Sequence, residues 1–466
     1  MRMKMKIEKN YEDSLVLAVD IGGSKYIIGF VDFEGNVLYQ ERIEWISMDE
    51  KSIIHQMMDS LEMLCRKMPD LFKRVAVGGV TIPGFADPVT GVWEDSDFLD
   101  VHEFPICDVF RENTGIPFYA DNDCNACALA EKYFGSAQDK DDFLYLTVST
   151  GIGGALYIEG NLYYGSLGHA GEIGLFVVEE NGRESDTGSV NGIVEMYASG
   201  RGLSRNYLEL GGKLESEESL GGKTIAEYAR KNDEIALKAI RREGMYLGRV
   251  IANACTFADF QKVIIGGGIS LMFEQYKESL LKEFQRILPE RKVEIESTKL
   301  GYSGAFLGAV AVALRGKECT ETSLKNGFGQ KITLEIKITD CAEAFLVIDG
   351  KTLKCRNARF GEFLSAAHIC ESGDQLNELL QNDEIRKAVK QYSRGDQEAK
   401  DKIYDLGYKI GKGVACACVL LDPGELLVEG SLVGFKDFQT GLKDALIKET
   451  YYRGDFLFRS NFNRIQ

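Results

Sequence analysis

The sequence is short of positive charge and of long apolar runs. Its 466 residues carry 55 Lys and Arg against 72 Asp and Glu, which gives a formal net charge of −17. This balance disfavours nucleic-acid binding, because a protein that holds a phosphate backbone needs an excess of cationic side chains. No stretch reaches the roughly 18 apolar residues of a membrane span, and residues 1–10 lack the apolar core of a signal peptide. We therefore expect a cytoplasmic protein that binds neither nucleic acid nor a membrane.

Cysteine and histidine are too sparse for two common kinds of site. Eleven cysteines in 466 residues are far below the density of a disulfide scaffold, and most lie in apolar context, which indicates reduced core residues. Cys124 and Cys127 form a C-x-x-C, so a redox pair is the alternative for that stretch. The four histidines, one of them His169, show no metal-type spacing.

What the chain does have is glycine placed directly after apolar strands. Residues 15–25 form an apolar strand that ends in Asp20 and runs into a Gly-Gly pair. Residues without a β-carbon let backbone N–H groups approach an anion, and the carboxylate of Asp20 suits a hydrated Mg²⁺. The stretch indicates a nucleotide-phosphate hairpin, and an ordinary β-hairpin turn is the alternative. The residues assigned to this hairpin are Asp20, Gly22, Gly23, Ser24 and Lys25.

Two further glycine sites follow in the same order of strand and turn. Residues 147–157 place three glycines between two apolar runs, as in a second phosphate hairpin. Residues 262–272 form a buried-type strand that ends in a glycine triplet and then opens a helix, whose N-terminal dipole and N–H groups suit a nucleotide. Each site alone is compatible with a plain turn, but the ordered set favours phosphate binding. The residues assigned to these two sites are Thr150, Gly151, Gly153, Gly266, Gly267 and Gly268.

Asn122 and Asp123 lie between the first two glycine sites, where a strand passes into an Ala-rich helix. Either residue is suited to cap that helix, which is the structural alternative. An ionised Asp beside a sugar hydroxyl can also take its proton during phosphoryl transfer. We assign Asp123 as the candidate general base.

Taken together, these motifs resemble the ROK family of repressors, open reading frames and sugar kinases. The resemblance covers about residues 14–316 and rests on the segments 20–25, 82–84, 122–126, 151–154, 168–174, 195–200 and 266–268. It implies the actin/hexokinase-like (ribonuclease H-like) α/β fold of two domains, with ATP, Mg²⁺ and a hexose bound in the cleft between them. It also implies glucokinase-like activity, with Asn122 and Asp123 at the sugar, Asp123 as the catalytic base, and Glu172 and Glu195 bound to sugar hydroxyls.

The chain departs from the family pattern at the structural zinc site. The family commonly has a His after Gly-Glu-Ile-Gly and then a Cys-rich run, whereas this chain has Leu175, Asp186, Gly188 and Ile193 at those positions. Asp186 alone cannot build a tetrahedral site of nitrogen and sulfur ligands, so we expect no structural zinc.

The sugar-binding residues depart as well. Asp97 stands where the family usually offers an Asn to the sugar, and with Glu172 and Glu195 it either favours an amino sugar or accepts from neutral hydroxyls. His169 is a candidate replacement for the lost His, and a plain hydrogen-bonding role is its alternative.

The C-terminal part of the chain looks like an internal repeat. Overlaying 345–350 on 155–160 brings Gly361-Glu362 onto Gly171-Glu172 at the same eleven-residue spacing. In the same overlay, residues 339–344 take the place of the second phosphate hairpin. Asp340 and Glu343 in this stretch would repel a phosphate. Because ROK proteins often dimerise through their large domains, we expect this copy to take the partner's place within one monomeric chain. A decayed duplication without function is the alternative.

The lengths of the predicted helices and strands, and the glycines between them, indicate an α/β protein. We predict a small domain over 14–121 with 303–316 returning to it, a large domain over 122–302, a linker over 317–330 and a degenerate copy of the large domain over 331–466. A helix is predicted near 191–200 and another over 232–257. Two functions remain open: an ATP-dependent hexose kinase, and a sugar- or nucleotide-binding regulator without turnover.

Overall fold

The computed structural model describes residues 13–460 apart from 97–98, 180–181, 186–189, 214–220, 320–329, 339–341, 354–379, 381 and 451–453. The chain divides into two compact units, of which the first combines Met1–Lys140 with Thr298–Phe328. The second combines Asp141–Ser297 with Gly329–Gln466. We call these two parts of the second unit the first half and the C-terminal half.

The first unit is built on a five-stranded sheet. Its strands and those of a small side sheet are β1 (Leu15–Ile21), β2 (Lys25–Asp32), β3 (Val37–Glu44), β4 (Val75–Ile82), β5 (Phe85–Asp87), β6 (Val92–Asp95), β7 (His102–Phe104) and β8 (Phe118–Asn122). The main sheet has the order β3-β2-β1-β4-β8, antiparallel from β1 to β3 and parallel from β1 through β4 to β8. Strand β1 is apolar from Leu15 to Val19 because both faces are covered: Leu15 and Leu17 enter one core, Val16 and Ala18 the other.

Helices cover both faces of this sheet. They are α1 (Glu50–Lys67), α2 (Pro69–Phe72), α3 (Ile106–Thr114), α4 (Asp123–Tyr133) and the returning helix α10 (Gly304–Glu318). Helix α10 lies directly on the sheet, because a β-carbon at Gly79 of β4 would collide with the backbone of Ala309. It also approaches α4 closely, with a β-carbon at Gly308 only 2.9 Å from the backbone of Ala126. Our sequence-based boundary placed α4 in the large domain, whereas this packing groups it with the first unit.

The first half of the second unit contains strands β9 (Phe143–Val148), β10 (Ile152–Ile158), β11 (Asn161–Tyr163), β12 (Lys262–Gly266) and β13 (Glu294–Ser297). They form a sheet of order β11-β10-β9-β12-β13, antiparallel from β9 to β11 and parallel from β9 to β13. Its helices are α5 (Glu195–Ala198), α6 (Gly200–Glu209), α7 (Gly222–Arg230), α8 (Glu234–Phe257) and α9 (Phe273–Ile287).

Two details of these helices come from local chemistry. The single helix predicted near 191–200 is instead two, because Ser199 is extended and its hydroxyl caps α6 by accepting from the Gly202 N–H at 3.1 Å. Helices α8 and α9 cross closely, since β-carbons at Gly244 and Gly248 of α8 would clash with the backbone oxygens of Tyr276 and Leu280 on α9.

The C-terminal half contains strands β14 (Ile332–Ile338), β15 (Ala342–Ile348), β16 (Lys351–Thr352), β17 (Glu425–Gly430) and β18 (Asp455–Arg459), with helices α11 (Asp383–Tyr392), α12 (Gln397–Leu421) and α13 (Lys436–Glu449). The sheet order is β16-β15-β14-β17-β18, with the same strand directions as in the first half. Helices α12 and α13 also approach each other closely at two glycines of α12. β-carbons at Gly407 and Gly411 would clash with the backbone oxygens of Phe438 and Leu442. The two halves thus share strand order, strand direction and a glycine-lined helix crossing.

Candidate functional site

Asp20 lies at the end of β1, beside the end of the neighbouring parallel strand β4. It pairs in register with Thr81, whose hydroxyl donates to Asp20 Oδ1 at 2.6 Å. Burial raises the pKa of Asp20, and the Thr81 hydroxyl and the charge of Lys25 partly offset this. The hydroxyl therefore fixes one carboxylate oxygen in place and favours the ionised form that a cation needs.

The turn after Asp20 is held by its own backbone and by Trp45. The Gly22 N–H donates to the Lys25 carbonyl at 2.9 Å, and the Trp45 indole N–H donates to the Gly22 carbonyl at 2.8 Å. Gly23 and Ser24 are exposed at the tip. This tip is therefore an accessible turn held by hydrogen bonds at its base, and its contact with phosphate stays a prediction.

Asp123 is the first residue of α4, directly after β8. Strand β8 continues the parallel series, with Asp121 in register with Thr81 of β4, so the carboxyl ends of β1, β4 and β8 lie along one edge. Burial raises the pKa of Asp123 to about 6, and the negative charge of Asp20 adds to the rise. The two carboxyl groups predicted from separate motifs thus act on each other electrostatically.

Asn122 caps α4, as the structural alternative in the sequence suggested. Its side-chain oxygen accepts from the Cys124 N–H at 2.8 Å, and its amide nitrogen donates to the Gly84 carbonyl at 2.7 Å. The cap fixes the start of the helix and, with it, the position of Asp123. The proposed sugar contact of Asn122 stays a prediction.

Cys124 and Cys127 are buried on α4. Asp121, at the end of β8, is also buried, accepts from the Asn125 amide at 2.9 Å and lies 3.4 Å from an Arg315 guanidinium nitrogen. The contact with Arg315 ties α10 to the end of β8, directly before the candidate base Asp123.

In the second unit, the hairpin between β9 and β10 is held by Glu195. The Ile152 N–H donates to Glu195 Oε2 at 2.9 Å, and a β-carbon added at Gly151 would lie 2.5 Å from the same oxygen. The Gly200 N–H also donates to the Ser149 carbonyl at 2.7 Å, while Thr150 is exposed. Glu195 therefore contacts a predicted phosphate turn, and its predicted contact with sugar stays a prediction.

The glycine triplet meets this hairpin at the same edge of the sheet. Gly266 ends β12 in register with Thr147 of β9, and Gly153 of β10 pairs with Thr147 from the other side. Gly267 has a positive φ of 79°, and a β-carbon there would clash with the Val148 carbonyl. After Gly268 a 3-10 turn leads into α9. The structure thus brings together two glycine sites that are more than 100 residues apart in sequence.

The segment from 163 to 174 carries Glu172 and His169. Gly171 packs against β10, with a β-carbon at Gly171 only 2.5 Å from the Gly154 carbonyl, so no larger residue fits. Glu172 is half-buried and His169 is exposed. Their contacts with sugar remain predictions.

Several positions named in the sequence analysis lie outside the described residues, namely Asp97, Asp186, Gly188, Asp340 and Gly361-Glu362. Of the lost zinc positions that are described, Leu175 lies in a 3-10 turn and Ile193 is buried in the core. Across the described ranges, no three His, Cys, Asp or Glu side chains are grouped so that they could hold a metal ion. Nor does any helix in those ranges have the length and apolarity needed to cross a bilayer.

A profile of the ROK family matches residues 16–316, which is more than half of the chain. The chain belongs to the ROK family. It is 30% identical over 293 residues to the N-acetylmannosamine kinase of Haemophilus influenzae, covering 63% of this chain and 93% of that protein. It is also 28% identical over 330 residues to a putative xylose repressor from Caldicellulosiruptor, covering 67% of this chain and 81% of that protein.

A solved structure extends the likeness to the fold. The ROK family glucokinase of Streptomyces griseus, in complex with glucose and AMPPNP, matches with a TM-score of 0.56 and 28% identity. The match covers 65% of this chain and all of the glucokinase. These findings support the actin/hexokinase-like fold predicted from the motifs.

Two contacts made by predicted site residues or their neighbours escaped the sequence analysis. Thr81 orients Asp20, and its only signal was a polar residue in an apolar strand just before Pro83-Gly84. Asp422 accepts hydrogen bonds from the segment that carries His169, across more than 250 residues. No local pattern indicates the second contact.

Proposed function

We propose that this protein is an ATP-dependent sugar kinase that phosphorylates a hydroxyl of a hexose or hexose derivative, as a glucokinase does. The observation that carries the proposal is the half-buried carboxylate of Asp123, whose pKa is raised to about 6 at the start of α4. A general base works best when its pKa lies near the operating pH. The kinases among the ROK relatives support the same reaction.

In the proposed reaction, Asp123 accepts the proton of the attacking sugar hydroxyl. That oxygen forms a bond to the γ-phosphorus as the bond from this phosphorus to the bridging oxygen breaks and ADP leaves. The turns at 22–23, 151–153 and 266–268 offer backbone N–H groups to the phosphate oxygens. Asp20, with one oxygen fixed by Thr81, fits a Mg²⁺ held through water, and the cation would neutralise phosphate charge.

The sugar is assigned to Asn122, Asp123, Glu172 and Glu195, with Asp97 and His169 as further candidates. The acidic character of this set favours hydroxyl donors, and the similarity to an N-acetylmannosamine kinase supports testing amino sugars beside glucose. We expect no structural zinc, since the chain has Leu175 and Ile193 where the family has ligands.

A regulator that binds sugar or nucleotide without turnover is the second candidate. It is motivated by the similarity to a putative xylose repressor and by the C-terminal half. The presence of Asp20, Asn122, Asp123 and the glycine triplet favours the kinase.

We further infer that residues 331–466 are a degenerate second copy of the large domain. The equal strand order of the two halves and their matching glycine crossings support this. If the copy takes the place of a dimer partner, sedimentation should give the mass of one chain, 51.8 kDa. A mass of twice that value would contradict the pseudo-dimer.

The kinase is tested by ADP release with Mg-ATP across glucose, mannose, fructose, allose, N-acetylglucosamine, N-acetylmannosamine and glucosamine. We expect turnover with at least one sugar, and a loss of about 10²–10⁴-fold in kcat for Asp123→Asn because the base is gone. Asp70→Asn is the matched control, since this carboxylate is 94% exposed and lies on α2, away from the predicted site residues. No turnover with any sugar, while sugar or ATP still raises Tm, would favour the regulator.

A further inference from the structure

The end of α12 is bound to the segment that carries the predicted sugar ligands. The Tyr163 hydroxyl donates to the Leu421 carbonyl at 2.7 Å, and the Gly171 N–H donates to the Leu420 carbonyl at 2.9 Å. The last carbonyls of a helix have no partner within the helix. Here the segment 163–171 of the first half supplies those partners to the C-terminal half.

Asp422 makes the same connection with its own side chain. Its Oδ2 accepts from the Leu167 N–H at 2.7 Å and from the His169 N–H at 3.1 Å, while its carbonyl accepts from the Ser166 N–H at 2.8 Å. Asp422 is 9% exposed, so its carboxylate is largely shielded from water. Hydrogen bonds from backbone N–H groups to a carboxylate are stronger than those between neutral groups.

The backbone at this contact is shaped for close approach. Asp422 has a φ of 43°, a left-handed conformation that is uncommon for a non-glycine residue and persists where its surroundings impose it. On the opposite side, Gly165 has a φ of 84°, and a β-carbon there would lie 2.5 Å from that of Asp422. Neither side can move apart or gain bulk without losing the hydrogen bonds.

The two halves carry different residues at this helix end. At the corresponding end of α8, the C-cap is Ala258, which carries no carboxylate and has an extended backbone with a φ of −134°. Asp422 is therefore a residue of the C-terminal half that holds the segment 163–171, which ends directly before Glu172.

We propose that Asp422 is a positioning residue for sugar binding: it clamps the segment 163–171 so that Glu172 is presented to the sugar. This inference rests on the proposed kinase function. It gives the C-terminal half a role in substrate affinity without any residue of its own touching the substrate.

The test compares Asp422→Ala and Asp422→Asn with Asp444→Asn in the full-length protein. Asp444 is the matched control, because it also accepts a hydrogen bond in the C-terminal half, from the Tyr404 hydroxyl at 2.9 Å, but lies on α13. We measure KM for the sugar found in the panel, KM for ATP, kcat, Tm, and deuterium exchange at the amides of Leu167 and His169.

For Asp422→Ala we expect the sugar KM to rise about tenfold or more, with ATP KM unchanged and faster exchange at both amides. Asp422→Asn should lie between Asp422→Ala and wild type, since its amide oxygen still accepts. Asp444→Asn should change Tm alone. A folded Asp422→Ala with wild-type sugar KM would overturn the clamp and leave the kinase intact.

If the wild-type protein shows no turnover with any sugar, the proposed kinase function is overturned. The proposed role of Asp422 is then tested by measuring sugar affinity with calorimetry. A tenfold weaker affinity in Asp422→Ala with faster exchange at both amides would support the clamp for a binding protein. Equal affinities, or no sugar binding by wild type, would overturn it.

Discussion

The two halves of the second unit share a framework and differ at the ends of their strands. Both have the same sheet order, and both cross their two long helices at a pair of glycines. The first half follows β12 with Gly267 and Gly268, whereas the C-terminal half follows Gly430 with Ser431 and Leu432. A side chain at a helix crossing would push two helices apart, but a changed turn alters only what can approach it. The framework therefore depends on the crossings, and the predicted phosphate chemistry depends on the turns.

The largest effect should come from adding a β-carbon at matching strand ends. Gly267→Ala forces alanine into a φ of 79° against the Val148 carbonyl, so the turn must move. We expect kcat/KM for ATP to fall by about 100-fold or more in the coupled assay. Gly430 has a φ of 148°, and the alanine methyl group in Gly430→Ala would clash with the Ile338 carbonyl. This variant should have a lower Tm and unchanged kinetics. An equal loss of kcat/KM in Gly430→Ala would mean that both turns serve catalysis.

A smaller effect is expected from pH. The base must be ionised to accept a proton, and the pKa of Asp123 is raised to about 6, so the rate should fall as pH drops below about 6. At saturating Mg²⁺, which keeps Asp20 ionised, kcat/KM for the sugar should fall about tenfold per pH unit, the slope of one group. A rate that stays constant down to pH 4.5 would contradict Asp123 as the base. The profile is measured from pH 4.5 to 8 with a buffer-independent assay.

The smallest effect should come from the helix crossings. Gly248→Ala and Gly411→Ala each place a methyl group against the backbone of the facing helix. Overpacking of this kind costs about 1–3 kcal/mol, and we expect similar values for the two variants in urea denaturation. If one substitution were neutral, the two crossings would differ in packing despite their matching glycines.

Where a predicted site residue lies at the end of a strand or in the turn that follows it, its place in the fold could be predicted from the sequence. Asp20 and Gly22 are adjacent in the chain, and the strand pattern before them fixes where the turn falls. The register of parallel strands then brings Asp20 and Asp123 to one edge, a placement that follows from the order of strands in such sheets.

Contacts between distant segments were not predictable in the same way. Glu195 reaches a hairpin 43 residues earlier in the chain, where its carboxylate accepts from the Ile152 N–H, and no local pattern distinguishes this from a sugar contact. Asp422 contacts Leu167 across 255 residues. Such pairings depend on how whole helices pack, which a local reading of the sequence does not determine.

The return of α10 to the first unit has a consequence for the order in which the protein forms. Its contacts with Gly79 and Ala126 join residues that are more than 180 positions apart, so the core on that face of the sheet stays open until Ala309 is synthesised. At typical translation rates, about 10–30 s separate the emergence of Lys140 from that of Gly304. The nascent chain therefore carries an uncovered apolar sheet while the first half of the second unit is made. A fragment that ends before Thr298 should consequently need a chaperone, whereas one that ends just after Cys319 should complete the first unit by itself.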